Sequence, residues 1–178
     1  MDGSVGWALA WAVLLFWALG AYNRLVRLRA QVLSAFAPLA EHLARYGEVV
    51  DQIPSPQAWE AADPRVGLLA AWRQFELTLK AARAQPLDAL ALQALGAAQV
   101  TVQAAWSRLC QAPSDLAGEP LPPVWLQQWT SLDQQSPPLA QAFNRHIADY
   151  NDAIAQFPAA VLAWLFGFKP GHPLHEPL

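Results

Sequence analysis

From Gly3 to Tyr22 the chain carries no charged side chain, and Ser4 is the only clearly polar one. About 20 helical residues at about 1.5 Å each reach about 30 Å, the thickness of a bilayer's hydrocarbon core. Trp7, Trp11, Trp17 and Tyr22 fall in this run, with Trp7 and Tyr22 near its ends, where aromatic rings suit the two interfaces. A cleaved leader competes with this reading, and Ala18-Leu19-Gly20 would serve as its cleavage site. A leader begins with a basic region, however, and the only charged side chain ahead of this run is Asp2. A buried core helix competes as well, but so long a run with no polar face argues against it. Residues 1–23 are therefore expected to be a retained transmembrane anchor. Arg24, Arg27 and Arg29 follow the run directly, and no Lys or Arg precedes it. The excess of cations on that side predicts an N-terminus outside and the bulk of the chain in the cytoplasm.

Composition agrees with an anchor plus one domain in 178 residues. Hydrophobic residues make up 54% and charged residues 14%, against about 45–50% and about 25% in soluble domains. The surplus has to enter a membrane, a core or a partner surface. A net charge of −3 offers no basic face for nucleic acid. With Cys110 as the only cysteine, neither an intrachain disulfide nor a cysteine-rich zinc site can form.

The anchor helix should continue. Leu25, Leu28, Val32, Phe36, Leu39, Leu43, Tyr46 and Val50 recur at steps of three and four, one apolar stripe of the coiled-coil kind. The stripe stays in phase past Pro38, which predicts a kink rather than an end. Gln52 to Asp63 reads as a loop. Asp63-Pro64 is a helix start, since Asp caps and Pro suits the first turn. That helix runs to about Arg83 and buries Leu68, Trp72, Phe75 and Leu79. Pro86 opens the next, to about Leu109, with Leu87, Leu90, Leu92, Leu95, Val102 and Trp106 spread widely enough to suggest the most enclosed helix. Ala112 to Pro123 holds four prolines and Gly118 and reads as a loop. Val124–Gln135 predicts a short helix, with Trp125 and Trp129 on one side. Pro137-Pro138 starts a last long helix, with Leu139, Phe143, Ile147, Tyr150, Ile154 and Phe157 as its stripe. No stretch alternates as a strand does. The fold class is all-α: a transmembrane helix continuing into an antiparallel, mostly four-helix up-and-down bundle over residues 24–168, then a proline-rich tail over 169–178.

The last helix carries the most specific pattern. Phe143-Asn144, Ile147, Tyr150-Asn151, Ile154 and Phe157-Pro158 place an aromatic–Asn pair twice at seven-residue spacing. Each Asn lies at the edge of the stripe, where its amide would bond a neighbouring helix and fix register; ligand binding is the alternative use.

With Tyr22-Asn23-x-Leu25-Val26-x-Leu28-Arg29 after an N-terminal span, and Phe166-Gly167-Phe168 after the aromatic–Asn repeat, the sequence resembles the LemA family. The resemblance covers about residues 20–45 and 130–170. It implies a bacterial inner-membrane protein with a mostly four-helix domain and no established catalytic activity. Its motif positions fall here on Tyr22, Asn23, Asn144, Tyr150, Asn151, Phe157 and Pro158. The chain departs from the family where an Asp-Leu-Ile-Pro-Asn-like stretch is usual, reading Arg45 to Ile53 instead. Ala140 also replaces a customary Arg, so this looks like a divergent member.

No catalytic constellation stands out, and no cofactor is expected. His172 and His175, with Glu176 nearby, are too few ligands for a metal site. His146 and Asp149 are spaced as a surface pair. Ser131 and Asp133 have no histidine near them in sequence. No glycine-rich phosphate loop or H-E-x-x-H occurs. Ala159 to Phe168 is apolar but too short to span; it either caps the core or docks on the membrane or a partner. The expected function is a non-enzymatic membrane-anchored scaffold, with the lipid bilayer and a protein partner or second copy as its contacts. An enzyme, ligand- or metal-binding module inside the bundle is the alternative.

Overall fold

The computed structural model describes residues 2–54, 63–112 and 121–174, and their side chains except those of residues 2–5 and 10. Among the described residues every regular element is a helix. The first, α1 (Asp2–Ala44), is a single helix of 43 residues. It is also the one helix among those residues that is long and apolar enough to cross a membrane. It continues through Pro38 and breaks at Arg45, where the amide of Arg45 bonds back to the His42 carbonyl at 3.1 Å. The short α2 (Tyr46–Val50) then carries on. The whole expected stripe from Leu25 to Val50 is buried, except Leu28, which is half-buried.

Helix α3 (Pro64–Ala84) starts as expected: the Asp63 side chain accepts from the amide of Arg65 at 2.8 Å, with Pro at the first turn. Helix α4 (Ala89–Gln111) begins later than Pro86. Asp88 is its cap, accepting from the amide of Ala91 at 3.0 Å, so Pro86 and Leu87 belong to the connecting turn. Nor is α4 enclosed on all sides: Leu92, Leu95, Val102 and Trp106 are buried, but Leu90 and Val100 face outward.

The larger correction concerns the prolines at 137 and 138. They do not separate two helices; α5 (Pro123–Ala155) runs through both. Trp129, Leu132, Ser136, Ala140, Phe143, Ile147 and Tyr150 form one buried face. Burial of that face holds the helix together where the two missing amides remove bonds to Asp133 and Gln134.

Four long helices therefore alternate in direction. Across α1 and α5 Phe36 meets Phe143; above it Tyr46 of α2 meets Asp133 of α5, and at the other end Trp17 of α1 meets Phe157, just past the end of α5. Gln103 meets Asp133 and Trp106 meets Trp129 across α4 and α5. On the remaining side, Arg83 donates to the carbonyl of Ala40 at 2.9 Å. A last helix, α6 (Ala159–Phe166), ends at Gly167, whose φ of 70° is the left-handed cap that glycine adopts without steric cost. The stretches 55–62 and 113–120, within the two expected loops, lie outside the described residues.

Candidate functional site

Two constellations stand out, one at each end of the bundle. At the end away from the N-terminal span, six side chains form a connected polar network. Tyr46 donates to Asp133 Oδ1 at 2.7 Å and meets Ser136 Oγ at 3.1 Å. Gln103 donates to the same Asp133 oxygen at 2.8 Å and accepts from Trp129 Nε1 at 3.3 Å. His42 Nε2 lies 3.0 Å from both the Leu132 carbonyl and Ser136 Oγ.

The closeness of Ser136, His42 and Asp133 invites comparison with a hydrolytic triad, but the geometry runs otherwise. A carbonyl only accepts, so His42 Nε2 carries the proton in its bond to Leu132 and is no base for Ser136. Asp133 is bound to Tyr46 and Gln103, not to His42. His42 is 5% exposed and Ser136 7%, leaving no room for a substrate. What the arrangement does is tie α1, α2, α4 and α5 together beside the proline pair.

Burial pushes the Tyr46 hydroxyl well above its ordinary value; the hydrogen bond with Ser136 opposes this, and the Asp133 carboxylate adds to it. Tyr150 is raised too, by burial, with Arg29 opposing. Both phenols are thus favoured neutral in the fold. Their contribution is complete below the unfolded tyrosine value of 10.0 and is lost as pH rises above it, for Tyr46 by about 1.4 kcal/mol per pH unit. Alkaline denaturation of the full chain in detergent should therefore be steep above that value, and Tyr46→Phe should flatten its slope by up to about 1.4 kcal/mol per pH unit.

The second constellation lies at the end near the span. The two asparagines do not bond a neighbouring helix. Each amide clasps the backbone of the chain's own tail in a two-point pair. Asn144 donates to the Leu174 carbonyl at 2.7 Å and accepts from the Leu174 amide at 2.8 Å. Asn151 does the same with Gly171, at 2.9 and 2.8 Å. Tyr150 adds a bond to the Lys169 carbonyl at 3.0 Å. Seven helical steps of about 1.5 Å match three extended steps of about 3.3 Å, so the spacing of seven along α5 fits a spacing of three along the tail. The tail runs antiparallel to α5, with Gly171 and Leu174 buried. A side chain at 171 would meet Ile147 Cδ1 at 2.6 Å, which accounts for the glycine. Residues 169–174 are thus part of the domain rather than a solvated tail, because their backbone finds partners there.

Around α1 the same end carries an aromatic collar. Tyr22 packs on Phe166 and Phe168, at 5.0 and 6.1 Å between ring centres, and Trp17 packs on Phe157 at 5.8 Å. Phe157 is 80% exposed, so it leaves the buried stripe to which its spacing assigned it. Pro158 is half-buried, and the Phe157–Pro158 bond is cis. Asn23, Arg24, Arg27 and Arg29 are exposed beside the collar, and Trp7 is exposed along the span.

The remaining histidines lie apart from the polar network. His172 pairs with Gln93 at 3.3 Å, while His175 and Glu176 lie outside the described residues. His146 is half-buried with its Nδ1 unpartnered, so the expected pair with Asp149 does not form. No group of three or more His, Cys, Asp or Glu side chains that could hold a metal occurs among the described residues. Sequence reasoning missed the network of His42, Gln103 and Ser136, whose members sit on three helices with no shared motif. It also missed what the asparagines hold. No family model, curated protein or solved structure matches the chain.

Proposed function

We propose that this protein is a divergent LemA-type scaffold, anchored in a bacterial inner membrane by residues 1–23, with its bundle in the cytoplasm. Its work is to hold a protein partner, or a second copy of itself, at the membrane face, without catalysis. The observation that carries this reading is α1, which is both the apolar span and one side of the bundle's core. The contact of Tyr22 with Phe166 and Phe168 supports the family reading, since it joins the opening and closing motifs in space. Arg24, Arg27 and Arg29 support the orientation. The outward-facing Leu90 and Val100 on α4 offer apolar contacts to a partner.

Crosslinking in native membranes tests this. A discrete crosslinked species in the membrane pellet is expected, and recovery of monomer alone would count against a scaffold. A ligand-binding module is the second reading. In its favour is an open groove of about 660 Å³ between α1, the α3–α4 turn and the tail, with Arg29 and Lys169 at its rim.

A further inference from the structure

We infer that α6 is an interfacial helix: it lies in the surface of the same bilayer that α1 crosses, and makes a second membrane contact. This rests on the reading of residues 1–23 as an anchor. An eight-residue helix capping a core should bury its large side chains. Here only the small Ala159 and Ala163 are buried, against Leu25 and Ala153. Val161, Trp164, Leu165 and Phe166 face outward, with Trp164 83% exposed, and Phe157 extends the patch at the other end. A soluble domain rarely leaves such a patch uncovered.

What covers it follows from its position on α1. Phe157 touches Trp17, and Phe166 touches Tyr22. Trp17 lies five residues inside the apolar run from Tyr22, or about 7.5 Å along the helix. The patch therefore reaches from the end of the span to about 7.5 Å within it. An interfacial helix buries its apolar face to about 5–10 Å. The apolar face of α6 is thus continuous with the lipid-facing surface of α1, at a depth where water would meet neither.

The segment that forms this face carries no charge of its own. Between Phe157 and Gly167 there is no charged side chain, and the nearest ones, Asp152 and Lys169, lie beyond its two ends. Attraction should therefore come from apolar area rather than headgroup charge, and neutral phosphatidylcholine should suffice.

The test uses the full chain with Cys110→Ser, reconstituted in phosphatidylcholine vesicles. Single cysteines at Trp164→Cys, Leu15→Cys and Leu77→Cys carry an environment-sensitive fluorophore. All three sites are exposed in the fold, so labelling leaves the core intact. Labels at 164 and 15 should emit to the blue and be quenched by lipids brominated on their acyl chains; the label at 77 should behave as in water. If 15 is quenched while 164 resembles 77, the interfacial helix is overturned and the anchor stands. If 15 itself resembles 77, the anchor reading fails and takes this inference with it. A 164–164 disulfide formed on oxidation of the unlabelled variant, with the labelled one unquenched, would assign the face to a second copy and overturn the membrane contact.

Discussion

Trp129→Ala should destabilise the domain by about 3–5 kcal/mol, the range for removing a large aromatic side chain from a close-packed interior. Trp129 is only 2% exposed. Its ring stacks on Trp106 at 4.1 Å between centres, with 8° between planes, and meets Tyr46 edge-on at 4.8 Å. Alanine would lose both ring contacts and leave a cavity bounded by α2, α4 and α5. It would also take the donor from Gln103, whose other end holds Asp133. A domain of this size is stable by about 5–15 kcal/mol, so the loss is a large fraction of the total. The measurement is denaturant unfolding of the full chain in detergent micelles. Trp164→Ala is the internal control. It removes an equally large ring from the exposed face of α6 and should shift stability by less than about 0.5 kcal/mol in detergent.

Asn144→Ala combined with Asn151→Ala should release the tail and leave the bundle standing. Four hydrogen bonds are lost, worth about 1 kcal/mol each as a net ceiling, and the freed tail regains conformational entropy that offsets part of this. The signature is local. The amides of Gly171 and Leu174 now donate to the two Asn side chains. Their hydrogen exchange should speed at least about tenfold, the factor that about 1.4 kcal/mol of local stability represents. Exchange at core amides such as those of Ile147 and Val102 should change little by comparison. If the asparagines only set helix register, the pattern would reverse: core amides would lose protection and the tail would be no faster than before.

Much of the fold was legible because its signals are periodic. A stripe such as Leu25 to Val50 reports a buried helix face whatever packs against it, and Asp63-Pro64 reports a cap by local chemistry alone. Pro137-Pro138 misled for the same reason. Local rules end a helix there, but the tertiary burial of Trp129, Leu132, Ala140 and Phe143 overrides them. The polar sites were harder to read. His42 and Ser136 are 94 positions apart, and nothing local to either announces the other. The asparagines were visible as a repeat, but an amide bonds a helix or an extended strand equally well. Only the position of the tail decides between them. Phe157 shows a further limit: its spacing put it on the buried stripe, yet α5 stops at Ala155 and the residue turns outward.

The continuity of α1 through Tyr22, Asn23 and Arg24 also makes its length a matter of phase. One residue inserted there would advance everything beyond it by about 1.5 Å and turn it by about 100° about the helix axis. Trp17 would then no longer face Phe157, although every residue of both the span and the bundle remained. Three or four added residues would nearly restore the angle while lifting the bundle by about 4.5–6 Å. At this junction the number of residues carries information as strictly as their identity, much as tooth count does between meshed gears.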